Sequence, residues 1–405
     1  MVRPAPYLAH LPAVFRHASP RDTIDLYLER RTEHVCRFVS GDLVEHTVTL
    51  HEGAAVRGAG WQRTADGLDR VTLAALLGVP TGQFPPVEVP EWPAPLDLAR
   101  LARAVAAHGV VRTIARWSAV ATASPPALHI LEHPLLIEVR PTGGRGRLVT
   151  GTALDGVAAA RGTEPDDREP GKVRAGPARV ALTPGAAAVL LHELFGHPLE
   201  ADALVRGDSP WSGRIGQVVT PLALDLVDDP WRRDLPGSFD VDDEGTAARP
   251  RSLLTAGRIV GALADRAHAA VLHTSAGNGR RSGIQSPPRP RMSNLIARVA
   301  GGGKTIDLAE ARLLISEVTS GTVEPRTGTV ILRVGCGHVV RHGSIERRLQ
   351  PFTLAGSLDT VCRGLLAATA EPEIADTPAW CGKNGELVAV GAAAPWLLVD
   401  GLEAR

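Results

Sequence analysis

The chain has 405 residues, enough for two or three domains of ordinary size, and balances 44 Lys and Arg against 44 Asp and Glu. A formal charge of zero gives no electrostatic basis for nucleic-acid binding, and a hydrophobic content of 44% excludes a disordered chain. Aromatic residues make up only 4%, so the core is expected to be built from small side chains.

The first part reads as an irregular Pro-rich segment followed by a helix over 22–31. Short β-like runs come next at 35–39, 43–50 and 54–58, separated by Ser40-Gly41-Asp42 and Glu52-Gly53, which predicts an antiparallel meander. A helix is expected over 68–77 and a second over 97–107, where Leu98, Leu101, Ala102 and Val105 share one face. The Pro-rich run 84–95 suits an exposed linker. Further strands are expected at 127–139 and 148–157. The polar stretch 155–176 carries the domain boundary, giving an N-terminal α+β domain over 1–165 and a C-terminal domain over 166–405.

Residues 179–182 read as a strand. Thr183 is a good helix N-cap, and Pro184 sits where proline is tolerated, at the first helical position. The helix from residue 185 is apolar on nearly all sides and is therefore expected to be buried. It runs into Leu190-Leu191-His192-Glu193-Leu194-Phe195-Gly196-His197-Pro198, which places two imidazoles around a carboxylate. Imidazole is a neutral donor for zinc, and Glu193 is a candidate base beside it.

The spacing of the two histidines is five, whereas the common H-E-x-x-H pattern places its ligands four apart on one helical face. In a regular helix the second imidazole points roughly 140° away from the first. A wider turn, closed by an i→i+5 hydrogen bond, realigns them. Gly196 loosens the backbone and Pro198 denies an amide to the ladder, so a distorted or broken helix is predicted at 196–198. The competing reading of the motif is a chance pair of core or surface histidines.

After the motif, Glu200 and Asp202 either orient its histidines or are exposed carboxylates, and the residues alone leave both open. Residues 240–245 form a turn and not a calcium loop, because they lack alternating oxygen ligands. Strands are expected at 313–318, 328–334, 386–390 and 396–399. The cysteines at 36, 336, 362 and 381 show no C-x-x-C, which argues against a disulfide framework. Cys336-Gly337-His338 is a competing source of a third metal ligand, and Cys36 and Cys362 read as buried, inert thiols. No apolar run reaches the roughly 18 residues of a membrane span, and the N-terminus lacks a signal-peptide pattern, so a cytoplasmic chain without membrane contact is expected.

Several stretches together resemble the TldD/PmbA metallopeptidases, and within them the TldD-like catalytic subunit. They are His192-Glu193 to His197 with Glu200 and Asp202, Asp242-Asp243-Glu244-Gly245-Thr246, Gly277-Asn278-Gly279-Arg280-Arg281, Pro290-Arg291-Met292-Ser293-Asn294, and Cys381-Gly382-Lys383 with Val390-Gly391. The resemblance covers 179–402 and matches in order and spacing. It is weaker in the first part, which resembles the family chiefly over 25–58 and is shortened beyond.

The resemblance implies an α+β, two-domain fold: a smaller N-terminal α/β-meander domain and a larger β-rich C-terminal domain with a buried H-E-x-x-x-H helix. It implies Zn2+ held by His192, His197 and Cys381, with Glu193 catalytic, and no other cofactor. It implies a peptide substrate bound as an extended strand, and a heterodimer with a metal-less homologue or a homodimer. The expected activity is hydrolysis of unfolded peptides or peptide-like amides. The alternatives are peptide or amide processing in natural-product biosynthesis and a non-catalytic scaffold subunit.

Overall fold

The computed structural model describes residues 24–58, 61–78, 101, 102, 105, 108–123, 126–141, 147–150, 169–303, 305–375 and 379–405. Strand β1 (Asp25–Val39) pairs antiparallel along its length with β2 (Asp42–Gly58), and β3 (Trp61–Asp66) continues that edge. Helix α1 (Arg70–Leu77) follows, capped by the Asp69 carboxylate, which accepts from the amides of Val71 and Thr72. On the other edge of β1 lies β4 (Gly109–Ala123), which also pairs with β5 (Pro126–Glu132) and β6 (Leu136–Pro141); β7 (Arg147–Thr150) completes the sheet.

Period-2 alternation decides what each face of this sheet does. Leu26, Leu28, Ala54, Val56, Trp117 and Ala119 bury one face against Leu73 and Ala74 of α1. Tyr27, Ala55, Val120 and Leu131 line the other, against Ile284 of the C-terminal part.

The helix expected over 22–31 is a strand from Asp25 onward. Leu, Glu and Arg suit either state locally, but β1 has a ladder on both edges and apolar partners on both faces, and this outweighs propensity. For the same reason 43–58 is one strand and not two. The strand expected at 127–139 is divided, with Pro134 between β5 and β6, because proline has no amide for the ladder. The expected helix over 97–107 lies mostly outside the described residues. Its Leu101, Ala102 and Val105 pack on Cys36, Phe38, Val111 and Val139.

The C-terminal part opens with β8 (Gly176–Leu182) and helix α2 (Pro184–Leu191); helix α3 (Ala201–Arg206) lies just beyond the histidine motif. Next come β9 (Leu224–Asp228), β10 (Arg251–Thr255), β11 (Arg258–Ile259), helix α4 (Arg266–Leu272), the hairpin of β12 (Gly279–Arg280) and β13 (Arg289–Pro290), and β14 (Asn294–Val299). The chain continues through β15 (Leu313–Val323), β16 (Thr329–Arg341), β17 (Ser344–Leu349), β18 (Phe352–Ser357), helix α5 (Leu358–Arg363), β19 (Leu365–Ala368) and β20 (Glu373–Ala375). It ends with the hairpin of β21 (Trp380–Lys383) and β22 (Glu386–Ala389), then β23 (Gly391–Ala394) and β24 (Leu397–Ala404). The strands expected near 179, 313, 328, 386 and 396 are β8, β15, β16, β22 and β24.

Strands β15, β8, β24, β18 and β16 pair in that order, and β15 pairs with β16, so the ring closes. A second sheet has the order β11-β10-β9-β14-β23-β20. Helix α2 packs against β15 of the ring and β23 of the second sheet, with Ala186, Ala187, Leu190 and Leu191 almost fully buried. Small side chains on nearly every face are what allow a helix to fit in that space.

The fold is strand-rich and two-domain. Every strand of the first sheet lies within 25–150 and every other strand begins at Gly176 or later. The boundary expected near 165 falls in 151–168, outside the described residues. Among the described residues no helix is long and apolar enough to cross a membrane.

The two parts meet at a close approach. A Cβ on Gly53 in β2 would lie 2.3 Å from Ile284 Cδ1 and 2.6 Å from the Ala65 carbonyl oxygen. Gly53→Ala is therefore expected to cost about 1–3 kcal/mol through overpacking, read as a lower urea midpoint with an unchanged m-value.

Candidate metal centre

Helix α2 continues into one wide turn, His192–Gly196, in which the His197 amide donates to the His192 carbonyl, an i→i+5 bond. A tight 3-10 turn, His197–Leu199, follows. This is the distortion predicted from the five-residue spacing.

Pro198 cannot donate to Leu194, so that carbonyl needs another partner. Trp211 Nε1 donates to it at 2.7 Å, while the indole stacks on Phe195 at 5.7 Å. Gly196 is required for a separate reason: a Cβ there would lie 2.1 Å from Met292 Sδ.

The wide turn brings the two imidazoles together, edge to face, with ring centroids 4.9 Å apart. Cys381, on the β21–β22 hairpin, adds its thiol 3.4 Å from His197 Nε2. One donor atom from each of His192, His197 and Cys381 lies within 4.8 Å of the other two, the only such group of three or more potential ligands among the described residues. Cys336 and His338 are not part of it. Cys36 and Cys362 are buried, and burial pushes both thiols up, which suits unreactive core positions.

Electrostatics prepare the donors. Burial opposes ionisation of Cys381, yet His197 and His192 hold its thiol well below the usual range. Burial likewise opposes charging of His197, but Cys381 and Glu200 raise it well above the ordinary value. Each group thus favours the charged form of the other, and a metal cation can take the place of the proton between them. Sulfur and imidazole nitrogen in this number suit zinc and leave room for a further ligand.

Glu200 is buried and meets His197 Nδ1 at 3.2 Å, so it orients that ring through the nitrogen remote from Cys381. Lys383 Nζ donates to Glu200 at 2.8 Å and to Asp202 at 2.7 Å. Arg291, fully buried, donates to the Cys381 carbonyl and has its Nε 3.9 Å from Glu200. Glu200 and Asp202 are thus buried and held in one charge cluster, and the exposed alternative for them does not apply.

Glu193 is buried too, and burial pushes its carboxyl up against the pull of His192 and His197. It lines a cavity of about 600 Å³ together with His192 and His197. Val318 and Gly321 of β15 form one wall, Trp380 and Leu387 another, and Glu138 and Arg140 of the N-terminal sheet a third. Gly321 lets β15 pass against Glu193, since a Cβ there would lie 2.5 Å from the Glu193 Cγ.

Arg291 and Lys383 lie within the motifs, yet the sequence assigns them no role. Nothing local distinguishes a buried lysine bridging two carboxylates from an exposed one. Trp211, Glu138 and Arg140 carried no signal at all, because only the tertiary structure brings them here.

Residues 175–405 match a family model described as the PmbA/TldA metallopeptidase C-terminal domain. A metalloprotease TldD homolog from Haemophilus influenzae is 31% identical over 225 residues, covering 55% of this chain and 46% of its own length. A metalloprotease from Archaeoglobus fulgidus is 30% identical over 221 residues, covering 54% and 51%. The chain therefore spans about half the length of these curated relatives. The likeness in fold is wider: TldE from Thermococcus kodakarensis superposes with a TM-score of 0.68 at 14% identity, over 95% of this chain and 96% of that one. A putative modulator of a DNA gyrase from Thermotoga maritima gives 0.66 at 17% identity, over 97% and 98%.

Two outcomes follow from this geometry. Trp211→Phe keeps an aromatic ring beside Phe195 but removes the indole N–H from the Leu194 carbonyl and some buried volume, so a loss of about 1–3 kcal/mol is expected in denaturant unfolding. The Glu200 carboxyl is held near 2 against an ordinary 4.5, because His197 and Lys383 outweigh the effect of burial. A depressed carboxylate contributes stability that is fully present above its unfolded value and is lost as pH falls through its folded value. That contribution, on the order of 3 kcal/mol, should fade between about pH 4.5 and 2. Stability measured across this window should fall less steeply in Glu200→Gln.

Proposed function

The chain belongs to the PmbA/TldA metallopeptidase family, and from that membership we propose that it is a zinc-dependent peptidase acting on unfolded peptides or peptide-like amides. The observation that carries the reading is the gathered His192, His197 and Cys381 donor set, with both histidines lining the cavity beside Glu193. A non-catalytic scaffold has no need of three preorganised ligands next to a carboxylate.

Zinc held by these residues would supply Lewis acidity at that wall. Glu193 accepts a proton from the attacking water and returns it to the leaving amine. Its burial raises the carboxyl, which suits a group that must both take and give a proton. Glu200 keeps His197 turned so that Nε2 faces Cys381, and Lys383 keeps Glu200 in place.

The substrate is read as an extended strand. Beyond Ile315 the described ladders pair β15 with β16 alone, and Val318 to Thr322 line the cavity. A peptide added along that side passes Glu193, and main-chain bonding would give broad sequence tolerance. The reading includes a cytoplasmic location and a partner, either a homologous chain or a second copy, bounding the substrate chamber.

The test combines metal content with turnover. Purified protein should hold about one zinc per chain, and folded Cys381→Ala should lose most of it. Glu193→Gln should keep the metal while peptide cleavage falls by about 10²–10⁴-fold. Cleavage undiminished in Glu193→Gln, or folded protein that takes up no zinc when resupplied, would overturn the reading.

A further inference from the structure

Beside the proposed catalytic cavity lies a second, smaller recess of about 60 Å³, and the two share Trp380 and Leu387 as a common wall. The recess sits at the junction of the N-terminal sheet and the C-terminal domain, lined by Arg116, His133, Asp243, Arg280 and Arg281 among others. Its charges do not balance in the usual way.

Arg116 has carboxylates in contact: Glu29 at 2.8 Å and Asp243 at 3.3 Å. Among the described residues the guanidinium groups of Arg280 and Arg281 have none. Arg280 is nine-tenths buried and donates to the carbonyls of Met292 and Ala389, with its guanidinium over the Phe239 ring at 5.1 Å. Arg281 is 1% exposed and donates to Gln62 Oε1 at 3.3 Å and the Ser286 carbonyl at 3.2 Å, with its guanidinium over the Tyr27 ring at 4.5 Å. Its Nε is buried without a partner among the described residues. No described carboxylate comes within ion-pair distance of either arginine.

Burying a guanidinium without a paired anion is costly, and here two adjacent ones line the same recess. Asp243 and Asp228 favour the charge on Arg280, but Asp243 is already held by Arg116 and by the Arg281 amide at 2.7 Å, and Asp228 by Ser293 and Asn278. Asp242, the other acid lining the recess, spends its oxygens on the amides of Glu244, Thr246 and Gly279. Burial, with Arg291 and Arg116 nearby, pushes Arg280 down to about 10 despite Asp243. The unmet charge favours an anion, and the volume limits it to a few atoms.

We infer that this recess is an anion-binding subsite of carboxylate size, formed by Arg280 and Arg281 and adjoining the catalytic cavity. The anion has two possible sources, a carboxylate of the peptide substrate or a free small anion that reinforces the junction between the two parts of the chain. The location rests on the geometry alone; the substrate source rests also on the peptidase reading above.

Three measurements on the zinc-loaded full chain test it. Crystals grown in sodium bromide should show an anomalous peak in contact with the two guanidinium groups. Titration with sodium bromide or acetate should raise the thermal midpoint of the native chain more than that of Arg281→Gln, with a difference that saturates as the anion concentration rises. In Glu193→Gln protein, peptides ending in a free carboxylate, or carrying Glu, should bind about 10–100-fold more tightly than their amidated or Gln counterparts, the range expected for a charged hydrogen bond.

A bromide peak with peptide discrimination assigns the subsite to the substrate; a peak and midpoint shift without discrimination assign it to a free anion. Absence of both the peak and the anion-dependent midpoint overturns the inference, whatever the peptidase activity. The peak needs no variant, so a misfolded Arg281→Gln does not spare the inference.

Discussion

The hydrogen bond from the His197 amide to the His192 carbonyl is the constraint on which the centre depends. It adds one residue to a helical turn and so rotates the second imidazole back towards the first. A turn of this kind is not favoured in isolation, and its supports come from elsewhere in the chain. Trp211 takes the carbonyl that Pro198 leaves without a donor, Met292 occupies the space a side chain at position 196 would need, and α2 is held between the ring of strands and the second sheet. Remote residues thus stabilise a local irregularity that aligns the donors.

A second constraint is the burial of charge. Lys383, Glu200 and Asp202 form a cluster that is costly to desolvate and is held by the two bonds Lys383 donates, so breaking one member leaves buried charge unpaired. Its geometry fixes His197, while Arg291 ties the Cys381 backbone to the same cluster. The motif pieces scattered from Asp242 to Val390 therefore act largely as one scaffold. Asp242 folds its own loop, Asp228 holds Ser293 and Asn278, and Asn294 bonds the loop at Gly237.

The same logic joins the two parts of the chain. Arg57 reaches both Asp25 and Glu244, and Arg116 reaches both Glu29 and Asp243, so ion pairs cross from the first sheet to the turn at 242–246. That contact places Glu138 and Arg140 on the wall of the cavity that holds Glu193. The N-terminal sheet shapes the chamber without contributing to the candidate metal group.

Some of this was determined by the sequence alone. His-Glu at the end of an apolar run, a spacing of five, and Gly and Pro around the second histidine together dictate a distorted helix end, because the reasons are local: helical angle, glycine freedom and a missing amide. The strands near 179, 313, 328, 386 and 396 were legible for the same reason, since alternation and turn residues act within a few positions. The tertiary structure alone decided that 25–31 extends as a strand, since only pairing on both edges overrides its local preference. It alone buried Lys383 and Arg291 around Glu200, brought Trp211 to the Leu194 carbonyl, and left Arg280 and Arg281 without carboxylate partners among the described residues. Each of these depends on residues far apart in the chain, and desolvation and charge pairing are set by what surrounds a group in space.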